Sequence, residues 1–281
     1  MHTATEKMKE VGNRYCNAQG QSLCFFLIFY HSQFKYCASE EEVRLIKVTF
    51  VSMWHSIVPA SASLLYDELV ALSQREDEIE FWFHGCHLPT SQWFLNQIIK
   101  LKACARAEIK IVDVVDPLVN DELFRETAEQ LQYEKFDVDE DVCIQYAPEL
   151  NSKPKYGSKH FIARSNQVNR WMIDQCDYLI AYYYKGIPNA ATPYVRRGLR
   201  NPNVTVISVV DCNTVSQIEK LIGEMEGRTR EIIDGIRDGR TYKSIGDELH
   251  ISSNRVLQLA YRASRKIMYA IDQQYEKHSE A

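Results

Sequence analysis

The sequence predicts an α/β protein: a Rossmann-like, mostly parallel sheet with helices on both faces, followed by a C-terminal all-α helix-turn-helix module. Three observations predict it. From Leu23 to about Val210, strand-length apolar runs alternate with helix-length segments, the order of an open sheet crossed by helices. From Val215 to Ile271 there is no proline and no strand-like run, so the last part of the chain reads as helices only. The composition is globular, with 45% hydrophobic and 25% charged residues among 281, which excludes wholesale disorder and a fibrous architecture.

Residues 1–22 have no compact apolar stretch before a small-residue cleavage site, so they read as an N-terminal extension rather than a signal peptide. Leu23–Tyr30 (LCFFLIFY) is a continuous apolar run, as expected for a strand buried on both faces. Glu40 to about Arg75 carries helical periodicity broken near Pro59, which predicts two helices. A strand follows over Glu78–Phe83, a helix over Leu88–Ala103, and a strand over Glu108–Val115 that closes at Asp116-Pro117. Asn120–Gln132 reads as helix, and Gln130 to about Lys159 as a polar connection holding the acidic run Asp137–Asp141. Val168–Gln175 predicts a short helix, Tyr178–Tyr184 a strand, Pro193–Leu199 a helix and Val204–Val210 a strand. The α/β domain thus spans 23–212 and the helical module 213–281.

Ligands of open parallel sheets sit at the carboxyl ends of the strands. That rule singles out His31, His84-Gly85, Asp116, Lys185-Gly186 and Asp211. His31, His84 and His87 could exchange protons near neutral pH, but none has an evident carboxylate partner, which favours structural roles. Eight scattered cysteines without a CxxC suggest reduced thiols in a cytoplasmic protein. His84, Cys86 and His87 are too close in sequence to converge on one ion, so no metal is expected. No apolar run reaches the roughly 18 residues of a membrane span.

In the helical module, Ile232, Ile233 and Ile236 form the apolar face of a helix ended by Gly239. Thr241 is placed to cap a second helix with Ile245 and Leu249 inward, and His250-Ile251-Ser252 makes a turn. Ser252 or Ser253 caps a third helix with Val256, Leu259 and Ala263 inward. Two helices joined by a short turn, the second one capped, describe a helix-turn-helix. Between Gly227 and Met268 there are nine Lys or Arg against five acids, in a chain whose net charge is −5. Basic charge is concentrated where DNA phosphates would sit, and the other possibility is a basic helical hairpin used for dimerisation.

The run Gly239, Tyr242, Ile245, Leu249, Ile251, Ser252 and Val256 resembles the helix-turn-helix of sigma-factor region 4 and the LuxR-type regulators. The resemblance implies that Ser253, Asn254, Arg255 and Gln258 face base edges of double-stranded DNA, and that Lys243, Arg262 and Arg265 contact phosphates.

Asn169–Leu199, with Trp171–Asp174, Asp177, the strand after it and Thr192, resembles the SLOG superfamily, closest to its YpsA-like branch. That group includes the DNA-processing protein A and the Lonely Guy hydrolases. The resemblance implies a nucleotide-derived ligand, with His31, His84, Gly85 and Thr192 at matching positions; Arg164 and Asn169 could hold its phosphate, and Lys185 and Gly186 stand at a strand end beside it. The family's G-G-T turn is Ala190-Ala191-Thr192 here, which places two methyl groups where phosphate should approach bare backbone. The glutamate that follows the turn in the Lonely Guy enzymes is missing, since Tyr194–Arg197 read YVRR. Two functions fit this pattern. One is a DNA-binding regulator with a non-catalytic ligand-sensing domain, with no cofactor and room for homo-oligomers. The other is a hydrolase of nucleotide N-glycosidic or phosphate bonds, localised to nucleic acid by the helical module.

Overall fold

The computed structural model describes residues 44–54, 57–84, 89–120, 142–148 and 158–279. The expected strand at Leu23–Tyr30, the residues His31, Gly85, Cys86 and His87, the helix after Asn120 and the acidic run lie outside them. Among the described residues six strands form one sheet in the order β4-β3-β2-β1-β5-β6, every neighbouring pair parallel. They are β1 (Leu45–Ser52), β2 (Glu78–Phe83), β3 (Glu108–Val115), β4 (Val142–Tyr146), β5 (Tyr178–Tyr182) and β6 (Thr205–Ser208). The helices are α1 (Pro59–Arg75), α2 (Pro89–Lys102), α3 (Ser158–Gln175), α4 (Thr192–Gly198), α5 (Cys212–Gly223), α6 (Gly227–Arg237), α7 (Tyr242–Glu248) and α8 (Ser253–Ser279).

Two stretches depart from the sequence expectation. Leu45–Ser52 is a central strand, not helix. Its β-branched and aromatic residues (LIKVTFVS) alternate, with Ile46 and Val48 buried on one side. On the other side Thr49 Oγ1 donates to the Trp82 carbonyl at 3.1 Å, and Lys47 lies 4.5 Å from the Trp82 ring centroid. Val142–Tyr146, expected within a polar connection, is the edge strand beside β3, with Cys143, Ile144 and Tyr146 exposed. An edge strand needs only one partner, so it lacks the apolar run that marks a central one. α3 also begins ten residues earlier than the predicted Val168, at Ser158.

Strand alternation sends side chains to two faces. Ile79, Phe81, Ile109 and Ile111 join Leu65 and Leu69 of α1 and Phe94 and Ile98 of α2 in the main core. Trp82, Val112 and Val114 point the other way and meet Val168 and Met172 of α3. Helices therefore cover both faces. The C-terminal helices belong to this packing: Ile218 and Ile222 of α5, Ile233 of α6, and Ala263, Ile267, Met268 and Ile271 of α8 sit in the main core. Among the described residues no helix is long and apolar enough to cross a membrane.

Candidate functional site

α6, α7 and the start of α8 enclose a small core of their own, made by Ile232, Ile245, Val256 and Ala260 with Ile236, Leu249, Ile251 and Leu259 at its margin. Thr241 Oγ1 accepts from the Ser244 N–H at 3.1 Å and so caps α7. The chain then turns in four residues, Leu249–Ser252, with His250 in the left-handed region at φ 54°. Ile251 N–H donates to the Gly246 carbonyl at 2.9 Å. A side chain at Gly246 would put its Cβ 2.6 Å from the Ile251 carbonyl oxygen, so glycine lets the turn close against α7. Ser252 Oγ accepts from the Arg255 N–H at 3.2 Å and starts α8.

The arginines of this segment divide into two sets. Arg230 pairs with Asp234, Arg237 with Glu219 of α5, and Arg240 with Glu248. Arg228, Lys243, Arg255, Arg262, Arg265 and Lys266 are exposed and have no ion-pair partner among the described residues. Of the residues expected to face bases, Ser253, Asn254, Arg255 and Gln258 are all exposed on α8, with Arg255 3.4 Å from the Gln258 amide oxygen. Lys243, Arg262 and Arg265 are exposed beside them.

Of the residues expected to bind a small ligand, the described ones are held by separate elements: His84 follows β2, Arg164 and Asn169 are on α3, Lys185 and Gly186 follow β5, and Thr192 starts α4. His84 Nδ1 donates to the Val114 carbonyl at 2.6 Å, across from β2 to β3. Arg164 is buried and grips Asp116 bidentately, Nε to Oδ2 and Nη2 to Oδ1, both at 2.7 Å. Asp116 Oδ1 also accepts from the Leu118 N–H at 2.9 Å, so the pair clamps the end of β3 to α3. Asn169 is half-buried on α3, and Lys185 is exposed. Gly186 leaves room for a ring: a Cβ there would lie 2.4 Å from the Tyr184 Cε1.

The turn around Ala190-Ala191-Thr192 uses its own donors. Asn189 N–H donates to Thr192 Oγ1 at 3.0 Å, Ala191 N–H to Asn189 Oδ1 at 3.0 Å, and Thr192 N–H to the Asn189 carbonyl at 3.1 Å. Pro193 has no N–H to offer. Ala191 has φ −74°, and no positive φ occurs in this turn, so the two alanines fit without backbone strain. Alanine suits this turn because it is closed by internal hydrogen bonds rather than held open around a phosphate.

A different concavity lies at the topological switch point. β1 and β5 are neighbours, and the chain leaves them in opposite directions, toward β2 and toward β6. Such a point opens a crevice at the strand ends. Here the crevice is about 380 Å³, floored by Ser52–Trp54 after β1 and by Asn189 and Ala190 after β5. Its wall is α8, through Tyr261, Ser264, Arg265 and Met268. Ser264 Oγ donates to the Pro188 carbonyl at 2.6 Å, Tyr261 OH to the Asn189 carbonyl at 3.3 Å, and the Trp54 indole N–H to Asp272.

Of these crevice residues the sequence marked only Ala190, as part of the turn, and Arg265, as a DNA-phosphate contact, and it did not bring the two together. Trp54 follows a strand that reads as helix, and α8 runs well past Ala263. Asp211, by contrast, stands where the strand-end rule put it. It caps α5 by accepting from the Asn213 and Thr214 N–H groups at 2.9 and 3.0 Å, and receives the Ser61 hydroxyl at 2.7 Å. Burial pushes its carboxyl up, but hydrogen bonds from Thr214, Ser61 and the backbone outweigh that and hold it below the usual aspartate range. Comparison with protein-family models, curated proteins and solved structures finds no significant match to the chain.

Proposed function

We propose that the chain is a cytoplasmic DNA-binding regulator in which α7 and α8 act as a helix-turn-helix and the Rossmann-like sheet senses a nucleotide-like ligand. The two family resemblances, to region 4 of sigma factors and to the SLOG superfamily, belong to this proposal. The observation that supports it most directly is the sorting of charge. Arg230 and Arg237 of α6 are paired with carboxylates, whereas Lys243 of α7 and Arg255, Arg262, Arg265 and Lys266 of α8 are exposed and, among the described residues, have no ion-pair partner. Polar side chains able to read base edges, flanked by guanidinium and ammonium groups for phosphates, are what groove recognition uses.

Fluorescence anisotropy with a labelled duplex tests it. Each phosphate contact contributes about 0.9 to the slope of log affinity against log salt, so a steep negative slope is expected. Arg262→Ala should weaken all sequences alike and reduce that slope by about 1. Arg255→Ala should cost roughly 1–3 kcal/mol at a preferred site and far less elsewhere. Absence of salt-sensitive duplex binding overturns the proposal.

A further inference from the structure

One helix carries both the exposed cations and the wall of the switch-point crevice. At about 100° per residue, Arg255, Gln258 and Arg262 fall on one side of α8, and Tyr261, Ser264, Met268 and Asp272 on another. Arg265 falls on the seam between them. It is exposed, lines the crevice and has no hydrogen-bond or ion-pair partner among the described residues. Asp272 accepts from the Trp54 indole N–H, and Arg265 is the one cation among the residues that line the site.

Most of the remaining lining surface is apolar or aromatic. Met53 and Met268 offer adaptable sulfur-containing walls, Trp54 and Tyr261 offer rings, and Ser52 and Asn189 offer a few polar atoms. A mostly apolar cavity of about 380 Å³ with one guanidinium fits a flat aromatic body bearing a single anionic group.

We propose that this crevice binds a nucleoside monophosphate, with the base among Trp54, Tyr261 and the methionines and the phosphate on Arg265. Because Arg265 is also a phosphate contact of the DNA face, a property that rests on the function proposed above, ligand and duplex compete for one side chain. The coupling is therefore negative and reciprocal.

Titration calorimetry of the full chain with adenosine 5′-monophosphate, adenosine and inorganic phosphate tests the site without DNA. The monophosphate should bind, and adenosine or phosphate alone should bind about ten-fold more weakly or worse, since each lacks half of the contacts. Arg265→Ala should weaken the monophosphate by about ten-fold or more, as loss of a charged hydrogen bond does. Ala190→Phe, at an exposed position that lines the crevice, should abolish binding by filling the space. No binding of the monophosphate at millimolar concentration, or unchanged binding by Arg265→Ala, overturns the site. Equal binding of bare phosphate overturns the ligand class.

Duplex anisotropy then tests the competition. At about 0.15 M salt, saturating monophosphate should weaken the duplex roughly five-fold, the worth of one phosphate contact, and should have no effect in Arg265→Ala. If the monophosphate binds through Arg265 but the protein binds no duplex, the crevice stands while the competition and the regulator fail. If duplex binding is intact and sensitive to Arg255→Ala but the monophosphate does not bind, the regulator stands and the crevice proposal fails.

Discussion

Two carboxylates at strand ends show how single residues tie this sheet to its helices. Asp116 and Arg164 are each more than nine-tenths buried, so either alone would be a charge stranded in a low-dielectric interior. Asp116→Ala should therefore destabilise the fold by about 3–5 kcal/mol, measured by denaturant unfolding. Arg164→Met, which removes the stranded charge in the background of Asp116→Ala, should recover part of the loss. Asp211 makes a different prediction, about acid. Its native pKa is depressed, so its contribution is complete above an unfolded aspartate pKa of about 4 and is lost as pH falls below that through the native value. Thermal unfolding of Asp211→Ala should lie below wild type by about 2 kcal/mol at neutral pH, through loss of the cap and of the buried Ser61 partner. That gap should narrow on acidification. A gap constant down to pH 2 would mean that the charge of Asp211 plays no part.

At the scale of elements, the turn between α7 and α8 is the most constrained piece of backbone. Gly246→Ala would force a methyl group against the Ile251 carbonyl oxygen, and should destabilise the protein by about 1–3 kcal/mol and impair duplex binding together. Retention of wild-type stability would show that the turn can move. This turn was legible in the sequence because its signals are local: Thr241 and Ser252 as caps, Gly239 as a stop, and apolar spacing at Ile245, Leu249, Ile251 and Val256. β2, β3 and β5 were legible for the same reason. β1 was not, since Lys47 and Thr49 break its apolar run and only pairing with β2 and β5 makes it a strand. β4 was not, because a half-exposed edge has no core pattern to display. Among site residues, the exposed face of α8 followed from helical spacing, whereas the crevice needed the strand order, which brings Trp54 beside Asn189 and Tyr261 across long separations.

For the whole molecule, the packing of α5, α6 and α8 into the main core has a thermodynamic consequence. Removing everything after Asp211 would strip Ile218, Ile222, Ile233, Ile267, Met268 and Ile271 from contacts that cover the sheet. Each buried aliphatic side chain contributes roughly 1.5–3 kcal/mol, so their combined loss approaches or exceeds the whole stability of a typical domain. The truncated chain should lack a cooperative thermal transition by circular dichroism, and near-ultraviolet and far-ultraviolet signals of the full chain should fall together. A sharp, independent transition in the truncated chain would mean that the sheet holds without its C-terminal helices.

The hydrogen bond from Ser264 to Pro188 lies near the middle of the 27-residue α8, with Ser253 at one end and Trp54 gripping Asp272 on the other side of it. Were the cores on either side to yield, a stiff helix pinned there would act as a lever about a fulcrum. Its arms are about 16 Å toward Ser253 and about 12 Å toward Asp272, from 1.5 Å per residue. A push of about 1 Å at the Trp54 end would then swing the Ser253 end the opposite way by about 1.4 Å, enough to move a side chain out of hydrogen-bond range.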